Sequence, residues 1–193
     1  MAAVNIGVLA LQGAFAAHQE ILHEIGCTTR QVREPKDLLG LHALVMPGGE
    51  STTMSKLLIT SGLFDPVARA ITDGMAVFGT CAGMILLASA IEDGREDQRS
   101  FGVLDITVQR NAYGRQVDSF ETDLRVEELD EPFHAVFIRA PRVTRVGTVE
   151  VLARHGDEPV LVRQGRVWAA SFHPELQADD RIHRLFVECV EKE

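Results

Sequence analysis

The first half of the chain alternates between short apolar runs and stretches with the period of an amphipathic helix. Residues 4–11 are typical of a buried strand, and residues 15–25 place their apolar side chains near one helical face. The alternation continues through strand-like residues 28–32, 42–47 and 75–79 and helix-like residues 51–60, 63–72 and 82–91. Repeated strand–helix units favour a parallel sheet with helices on its faces.

The second half has a different pattern, in which strand-like segments follow one another closely. They are residues 101–110, 119–129, 132–139, 148–155, 159–164 and 167–173, with turns at 111–114 and 164–166. This spacing predicts an antiparallel extension, and residues 179–191 are typical of a closing helix. The expected fold is therefore α/β: a mixed, mostly parallel central sheet flanked by helices, with the antiparallel extension in the second half.

Length and charge limit the classes of function that the chain can have. Its 193 residues suit one domain, over residues 1–193, that buries roughly 70% of the surface of the unfolded chain. A formal charge of −9 disfavours binding to nucleic acid and to anionic membranes. No apolar run approaches the ~18 residues of a membrane span. The apolar N-terminus lacks a basic flank, so we expect a first strand rather than a signal peptide, and a cytoplasmic protein.

The cysteines and histidines do not form a metal-binding pattern. Cys27, Cys81 and Cys189 are widely spaced and include no CxxC pair, so neither a zinc cage nor a disulfide framework is predicted. His18 and His23 lack the i, i+4 spacing of a helical metal pair. We therefore expect free thiols and no metal or other cofactor.

One cysteine stands where a buried strand meets a helix, in the sequence Gly79-Thr80-Cys81-Ala82-Gly83. This pattern is typical of a nucleophile elbow, in which small neighbours permit a sharp, strained turn. The helix N-terminus favours a thiolate there, and the Ala82 N–H can donate to an oxyanion. The alternative is a packed thiol in a tight turn.

A candidate proton carrier lies in the segment Ser171-Phe172-His173-Pro174-Glu175. If the segment is extended, residues i and i+2 project to the same side, so Glu175 can accept the imidazole N–H and hold one tautomer of His173. The other ring nitrogen would then face Cys81, which is the logic of a catalytic triad with a cysteine nucleophile. The remaining histidines are interpreted as surface or core residues.

The segment Pro47-Gly48-Gly49-Glu50-Ser51-Thr52 follows another strand-like run. Gly48 and Gly49 let the backbone approach a ligand closely, and their N–H groups can complete an oxyanion hole with Ala82. The segment lacks the Gly-Lys-Ser/Thr ending of a phosphate-binding loop. A structural alternative is a strand-to-helix turn in which Ser51 caps the helix.

With these motifs together, the sequence resembles the class I (triad) glutamine amidotransferases, which have a flavodoxin-like α/β fold. Within that class it is most similar to the glutaminase subunits of pyridoxal 5′-phosphate synthases. The resemblance covers essentially the whole chain. It rests on GVLALQGAFAAH, MPGGESTTM, FGTCAGM, RNAYGRQVDSFE, FIRAP and SFHPE.

The resemblance implies a glutaminase whose nucleophile is Cys81, with His173 as general base and acid and Glu175 as its orienting carboxylate. It implies that L-glutamine is bound by Gly49, Glu50, Ser51, Arg110, Ile138 and Arg139. Alternatively, Glu50 is a helix-start carboxylate favoured by the helix dipole. Arginine suits this role because its fork matches the α-carboxylate of the free amino acid.

The resemblance also implies a protein partner that uses the ammonia, because the chain has no motif for a second reaction. In the family this partner is a (β/α)8-barrel synthase with a dodecameric core. Residues 11–18 are then a candidate docking surface, with Gln12 and Gly13 as docking residues and Gln12 coupling docking to the oxyanion hole. Alternatively, Gln12 and Gly13 only cap the first strand.

Three other functions stay open at this point. A glutaminase for another synthase, such as imidazole glycerol phosphate synthase, would share the three triad residues. A cysteine peptidase or related α/β hydrolase would share the elbow. A thiol sensor would use Cys81 without needing a carboxylate beside His173.

Overall fold

A seven-stranded sheet forms the centre of the computed structural model, which describes residues 3–110 and 119–192. The strands are β1 (Asn5–Leu9), β2 (Thr28–Val32), β3 (Ala43–Met46), β4 (Ala76–Thr80), β5 (Ala88–Ile91), β6 (Leu104–Gln109), β7 (Ser119–Leu124), β8 (Phe133–Ile138), β9 (Arg142–Val146), β10 (Glu150–His155), β11 (Glu158–Gln164) and β12 (Val167–Ala170). The helices are α1 (Phe15–Glu24), α2 (Ser51–Thr60), α3 (Phe64–Thr72), α4 (Ala82–Leu87) and α5 (Arg181–Glu191), with 3-10 turns at Pro35–Leu38 and Pro174–Leu176.

The order of the central sheet is β10-β11-β12-β4-β3-β1-β2. The strands from β12 to β2 are parallel to their neighbours, whereas β10 and β11 are added antiparallel at one edge. Two small sheets, β5-β6-β9 and the antiparallel pair β7-β8, lie outside it. The predicted fold class is therefore confirmed, including the antiparallel extension in the second half.

The central strands are buried on both faces, which explains their continuous apolar character. Successive residues of β3 alternate between two cores: Ala43 and Val45 face one, and Leu44 and Met46 the other. The first core is closed by α1 and α5, and the second by α2, α3 and α4. No helix in the described residues is long and apolar enough to cross a membrane.

The parallel strands direct several loops to one edge of the sheet, because the carboxyl ends of parallel strands lie together. The segment after β1 carries Gln12 and Gly13, and the segment after β3 carries the paired glycines. Cys81 directly follows β4, and its N–H donates to the carbonyl of Ala170 at the end of β12 (2.8 Å). The topology alone therefore brings the predicted motifs together.

Two elements differ from the sequence prediction. The helix expected over residues 82–91 ends at Leu87, and Ala88–Ile91 forms β5, paired in parallel with β6. The Ser89 hydroxyl donates to the carbonyl of Ile106 (2.8 Å), so strand pairing outweighs the helical pattern there. Strand β9 was not predicted; of its five residues only Val143 is buried, so it has little apolar signal.

The cap of α2 also differs from the expectation. The helix begins at Ser51, and the carboxylate of Glu50 caps it by accepting from the backbone N–H groups of Thr52 (3.0 Å) and Thr53 (2.8 Å). Ser51 is therefore the first helical residue rather than the cap. Partial burial acts to raise the pKa of Glu50, but the hydrogen bonds from Thr53 and Thr52 lower it to about 2.

Replacing Glu50 with alanine should lower the free energy of unfolding by about 1 kcal/mol at pH 7, the usual effect of losing a helix cap. Because the folded-state pKa of Glu50 is lowered, its contribution is present above the ordinary value of 4.5 and is lost as the pH falls toward 2. Urea denaturation should therefore show a difference in the free energy of unfolding between wild type and Glu50→Ala that becomes smaller between pH 5 and pH 2. A difference that stays constant over this range would contradict the capping role.

Candidate active site

A cavity of ≈ 310 Å³ opens at the carboxyl edge of the parallel strands. This volume is within the range of ~300–1,000 Å³ that small-molecule sites usually occupy. The predicted site residues that line it are Gly13, Gly48, Gly49, Glu50, Ser51, Cys81, Arg110, Ile138, Arg139, His173 and Glu175. Gln12 and Ala82 do not line the cavity, although each contacts or adjoins a residue that does.

The turn at Cys81 has the strained backbone expected of an elbow. Its φ is 51° and its ψ is −105°, a combination rare for a residue with a side chain. A Cβ on Gly79 would lie 2.6 Å from the Gly83 carbonyl, and one on Gly83 would lie 2.2 Å from the Met46 carbonyl oxygen. Both glycines are therefore required by close backbone packing. Cys81 is only 7% exposed, so its sulfur faces the cavity rather than the open surface.

The local conformation of the histidine segment differs from the extended one predicted. Strand β12 ends at Ala170, and Pro174–Leu176 forms a 3-10 turn. The backbone N–H of His173 donates to the carbonyl of Val136 on β8 (2.8 Å), which anchors the segment. The 3-10 turn still places Glu175 Oε1 2.8 Å from His173 Nδ1. The predicted pairing is thus present, but a turn produces it.

Gly48 lies against both Cys81 and His173. A Cβ at Gly48 would be 2.5 Å from His173 Cε1 and 3.3 Å from Cys81 Cβ. The paired glycines, the cysteine and the imidazole therefore converge on one small volume. A residue with a side chain at position 48 would displace the imidazole.

The electrostatics of this group favour a protonated imidazole. Burial acts to lower the pKa of His173, but hydrogen bonding to Cys81 and Glu175, together with their charges, raises it to about 10. Burial likewise acts to raise the pKa of Glu175, but the hydrogen bond with His173 and the charge of its imidazolium lower it overall. Glu175 is thus an ionised carboxylate that stabilises an imidazolium.

The loop that carries Gly48 is fixed from the side of β1. The Gln12 side-chain oxygen accepts from the N–H of Glu50 (2.9 Å). Gly13 has a φ of 89°, and a Cβ there would lie 1.7 Å from the carbonyl oxygen of Gly48. Because the peptide is planar, this contact also fixes the direction of the Gly49 N–H.

Arg110 forms the polar wall of the cavity with two residues that the sequence analysis did not identify. Its guanidinium donates to Thr52 Oγ1 (2.5 Å) and to Gln98 Oε1 (3.0 Å), and Gln98 Nε2 donates to Ser51 Oγ (3.0 Å). The Arg110 N–H donates to Asp93 (2.7 Å). No sequence pattern marks Gln98, because it lies in an irregular segment and acts only through tertiary contacts.

The remaining wall is the end of β8. Cys81 Sγ lies 3.9 Å from the carbonyl oxygen of Ile138, and the next residue, Arg139, has a φ of 43°. The turn predicted at residues 111–114, and residues 111–118 of the motif RNAYGRQVDSFE, lie outside the described residues.

A second group that the sequence analysis did not identify lies behind Glu175. His18 and His183 are fully buried, and His18 Nδ1 is 2.9 Å from His183 Nε2. His18 Nε2 is 3.4 Å from Glu175 Oε2. The burial of His18 excludes it from the docking surface expected over residues 11–18.

Comparison with known proteins identifies the family of this chain. The family model for the SNO glutamine amidotransferase family matches residues 8–192. A pyridoxal 5′-phosphate synthase subunit PdxT of Thermus thermophilus is 58% identical over 185 residues, covering 95% of this chain and 96% of that protein. The subunit of the same name from a Parafrankia species is 55% identical over 195 residues, covering 100% of this chain and 96% of that protein.

Solved structures agree as well. A crystal structure of a glutamine amidotransferase is 55% identical and superposes with a TM-score of 0.91 over 96% of this chain and 98% of that chain. A second glutamine amidotransferase, from Thermotoga maritima and 14% identical, shares the fold with a TM-score of 0.65 over 100% of this chain and 86% of that chain. By sequence and by structure, this chain belongs to the SNO glutamine amidotransferase family.

Proposed function

We propose that this chain, as one domain over residues 1–193, hydrolyses L-glutamine to glutamate and ammonia. We further propose that it delivers the ammonia to a synthase subunit that makes pyridoxal 5′-phosphate. The observation that carries the proposal is the convergence of Cys81, His173 and Glu175 on one cavity in a member of this family. The relatives are named as subunits of pyridoxal 5′-phosphate synthase, which supports pyridoxal 5′-phosphate as the product of the partner.

The first half of the reaction uses the thiolate and the imidazolium. The Cys81 thiolate attacks the side-chain carboxamide carbon of glutamine and forms a tetrahedral oxyanion. His173 gives its proton to the amide nitrogen, the C–N bond breaks, and ammonia leaves a γ-glutamyl thioester on the sulfur. The His173 pKa of about 10 keeps that proton available at neutral pH.

The second half reverses these roles. His173, now neutral, takes a proton from water as the water oxygen attacks the thioester carbon. The C–S bond breaks, glutamate leaves, and the thiolate and imidazolium are restored. Glu175 accepts from Nδ1–H throughout, so the other ring nitrogen faces Cys81 in both half-reactions.

The substrate groups that do not react are assigned to the polar parts of the cavity. Arg110 and Arg139 supply positive charge for the α-carboxylate. Glu50, with a pKa of about 2, supplies negative charge for the α-ammonium at neutral pH. Gly49, Ser51 and Ile138 complete the binding surface.

The proposed oxyanion hole uses the backbone N–H groups of the Gly48–Gly49 segment and of Ala82. Ala82 is the first residue of α4, so its N–H has no partner within the helix. The direction of the Gly49 N–H depends on the contact between Gly13 and the Gly48 carbonyl. Gln12 and Gly13 are therefore proposed to link this loop to a docked partner, a synthase of (β/α)8-barrel type with a dodecameric core.

Replacing Cys81 with alanine should lower glutaminase activity by more than about 1,000-fold, because no other group can form the thioester. Cys189→Ala, on α5, is the matched control and should keep wild-type activity. Glutamate release measures both, and diazo-oxo-norleucine should label Cys81 selectively unless glutamine protects it. Wild-type turnover by Cys81→Ala, or peptide hydrolysis without glutamine hydrolysis, would contradict the proposal.

Replacing Gly13 with alanine should lower kcat roughly 100-fold or more, the usual effect of losing an oxyanion donor, since the new Cβ displaces the Gly48 carbonyl. Gly26→Ala is a matched control, because Gly26 has a similar φ of 92° but no heavy atom within 4 Å of the added Cβ. Both variants place alanine at a similar positive φ, and thermal unfolding will measure how much stability each one loses. Equal activity in the two variants would show that the Gly13 contact is not needed for catalysis.

The partner is tested by co-purification with a pyridoxal 5′-phosphate synthase subunit, followed by an assay of product formation. The complex should make pyridoxal 5′-phosphate from glutamine. With Cys81→Ala the glutamine-dependent reaction should be lost, whereas added ammonium salt should restore synthesis. If the chain binds another ammonia-using synthase instead of that subunit, the proposed partner is wrong. The proposed glutaminase activity would not be affected by this result.

A further inference from the structure

The two buried histidines behind the triad come from opposite ends of the sequence. His18 lies on α1 and His183 on α5, 165 positions apart, and both have 0% exposure. Their rings meet through His18 Nδ1 and His183 Nε2 at 2.9 Å. Burying two imidazoles is costly unless their polar atoms have partners, so the pair requires an explanation.

The other side of His18 faces the triad. His18 Nε2 lies 3.4 Å from Glu175 Oε2 and 3.3 Å from Thr80 Oγ1. The Glu175 side chain is fully buried, and its other oxygen is bonded to His173. Within residues 3–110 and 119–192, Oε2 accepts no hydrogen bond of normal geometry, and His18 Nε2, which also lies against the Thr80 hydroxyl, is the ring nitrogen placed beside it.

Only one arrangement of protons suits both contacts. With its proton on Nε2, neutral His18 donates toward Glu175 and accepts at Nδ1 from His183 Nε2–H. The Nδ1 of His183, which has no partner in the described residues, is then a bare lone pair. The opposite tautomers would turn a lone pair toward the carboxylate and bury an N–H of His183 without an acceptor.

The burial of His18 and His183 and the charges around them favour the neutral form of both imidazole rings. His18 faces Glu175 and Thr80, His183 lies on its other side, and the charge of His173 also acts on it. Burial lowers the pKa of His18, Glu175 partly offsets this, and His173 lowers it further. Burial and the proximity of His18 lower the pKa of His183 well below its ordinary value. A neutral His18 can bind Glu175 without repelling the imidazolium.

We propose that His18 is a positioning residue for the triad, which fixes the second carboxylate oxygen of Glu175 and is itself oriented by His183. This inference rests on the proposed function, because it assigns His18 a part in the same reaction. Through Glu175 it holds the plane of the carboxylate, and hence the ring of His173, in line with Cys81. His18 touches neither the substrate nor the sulfur.

Two substitutions separate the two contacts of His18. His18→Gln places an amide NH₂ near the position of Nε2 and keeps a donor for Glu175. His18→Asn places its amide near Nδ1, so it keeps a partner for His183 but loses the donor. We expect His18→Asn to lower kcat about 10- to 100-fold with KM within about twofold of wild type, and His18→Gln to restore most of the loss.

A double-mutant cycle tests whether His18 acts through Glu175. Glu175→Gln alone should lower kcat, and adding His18→Asn to it should change kcat little further. The pH dependence of Cys81 alkylation by iodoacetamide is followed by mass spectrometry. It should stay unchanged if His18 only stabilises the fold, and should shift if His18 positions the triad. The pH midpoint of Cys81 alkylation should rise in His18→Asn and in Glu175→Gln. Both substitutions make the protonated form of His173, which pairs with the thiolate, less stable. Additive effects on kcat, or an unchanged midpoint in His18→Asn, would overturn the proposal.

The wild-type protein provides a test that does not depend on the variants' folding. Nitrogen-15 NMR of the imidazoles should show His18 and His183 neutral between pH 6 and 8, both with the proton on Nε2. A charged His18, or the opposite tautomer, would overturn the proposal. Alkylation and NMR need no glutamine turnover, so a failure of the proposed function is distinguishable from a failure of this inference.

Discussion

The strained turn at Cys81 is held between a buried strand and the start of a buried helix. A residue with a side chain is held at φ 51° because the strand before it and the helix after it leave no room for a relaxed path. That confinement requires glycine at positions 79 and 83 and brings α4 against the carbonyl of Met46. Strain of this kind persists only where the surrounding packing is strong, and here buried strands on both sides supply it.

Sheet topology then determines which residues reach the cysteine. Strand β12 pairs with β4 in parallel, with partners ninety positions apart in the sequence, so the segment that follows β12 begins beside the elbow. The 3-10 turn that follows orders His173 and Glu175, while the glycine loop after β3 closes the cavity on the other side. The site is therefore assembled from loops at one edge of the sheet.

The alternating periods predicted the fold class, and short motifs predicted the residues that converge on the cavity, because both signals are local. The end of α4 was not predictable, since Ala88–Ile91 is apolar enough for a helix and only pairing with β6 makes it a strand. The partners Gln98, His18 and His183 were missed for a related reason. Their importance comes from contacts across 12 to 165 positions, which no local pattern records.

The start of α1 contacts two different parts of the cavity wall. Gly13, two residues before the helix, abuts the Gly48 carbonyl, and His18 within the helix lies 3.4 Å from Glu175. The two residues are five positions apart, so the start of the helix connects the backbone of the proposed oxyanion hole to the proposed triad. Any force that shifts α1 as a unit therefore acts on both at once.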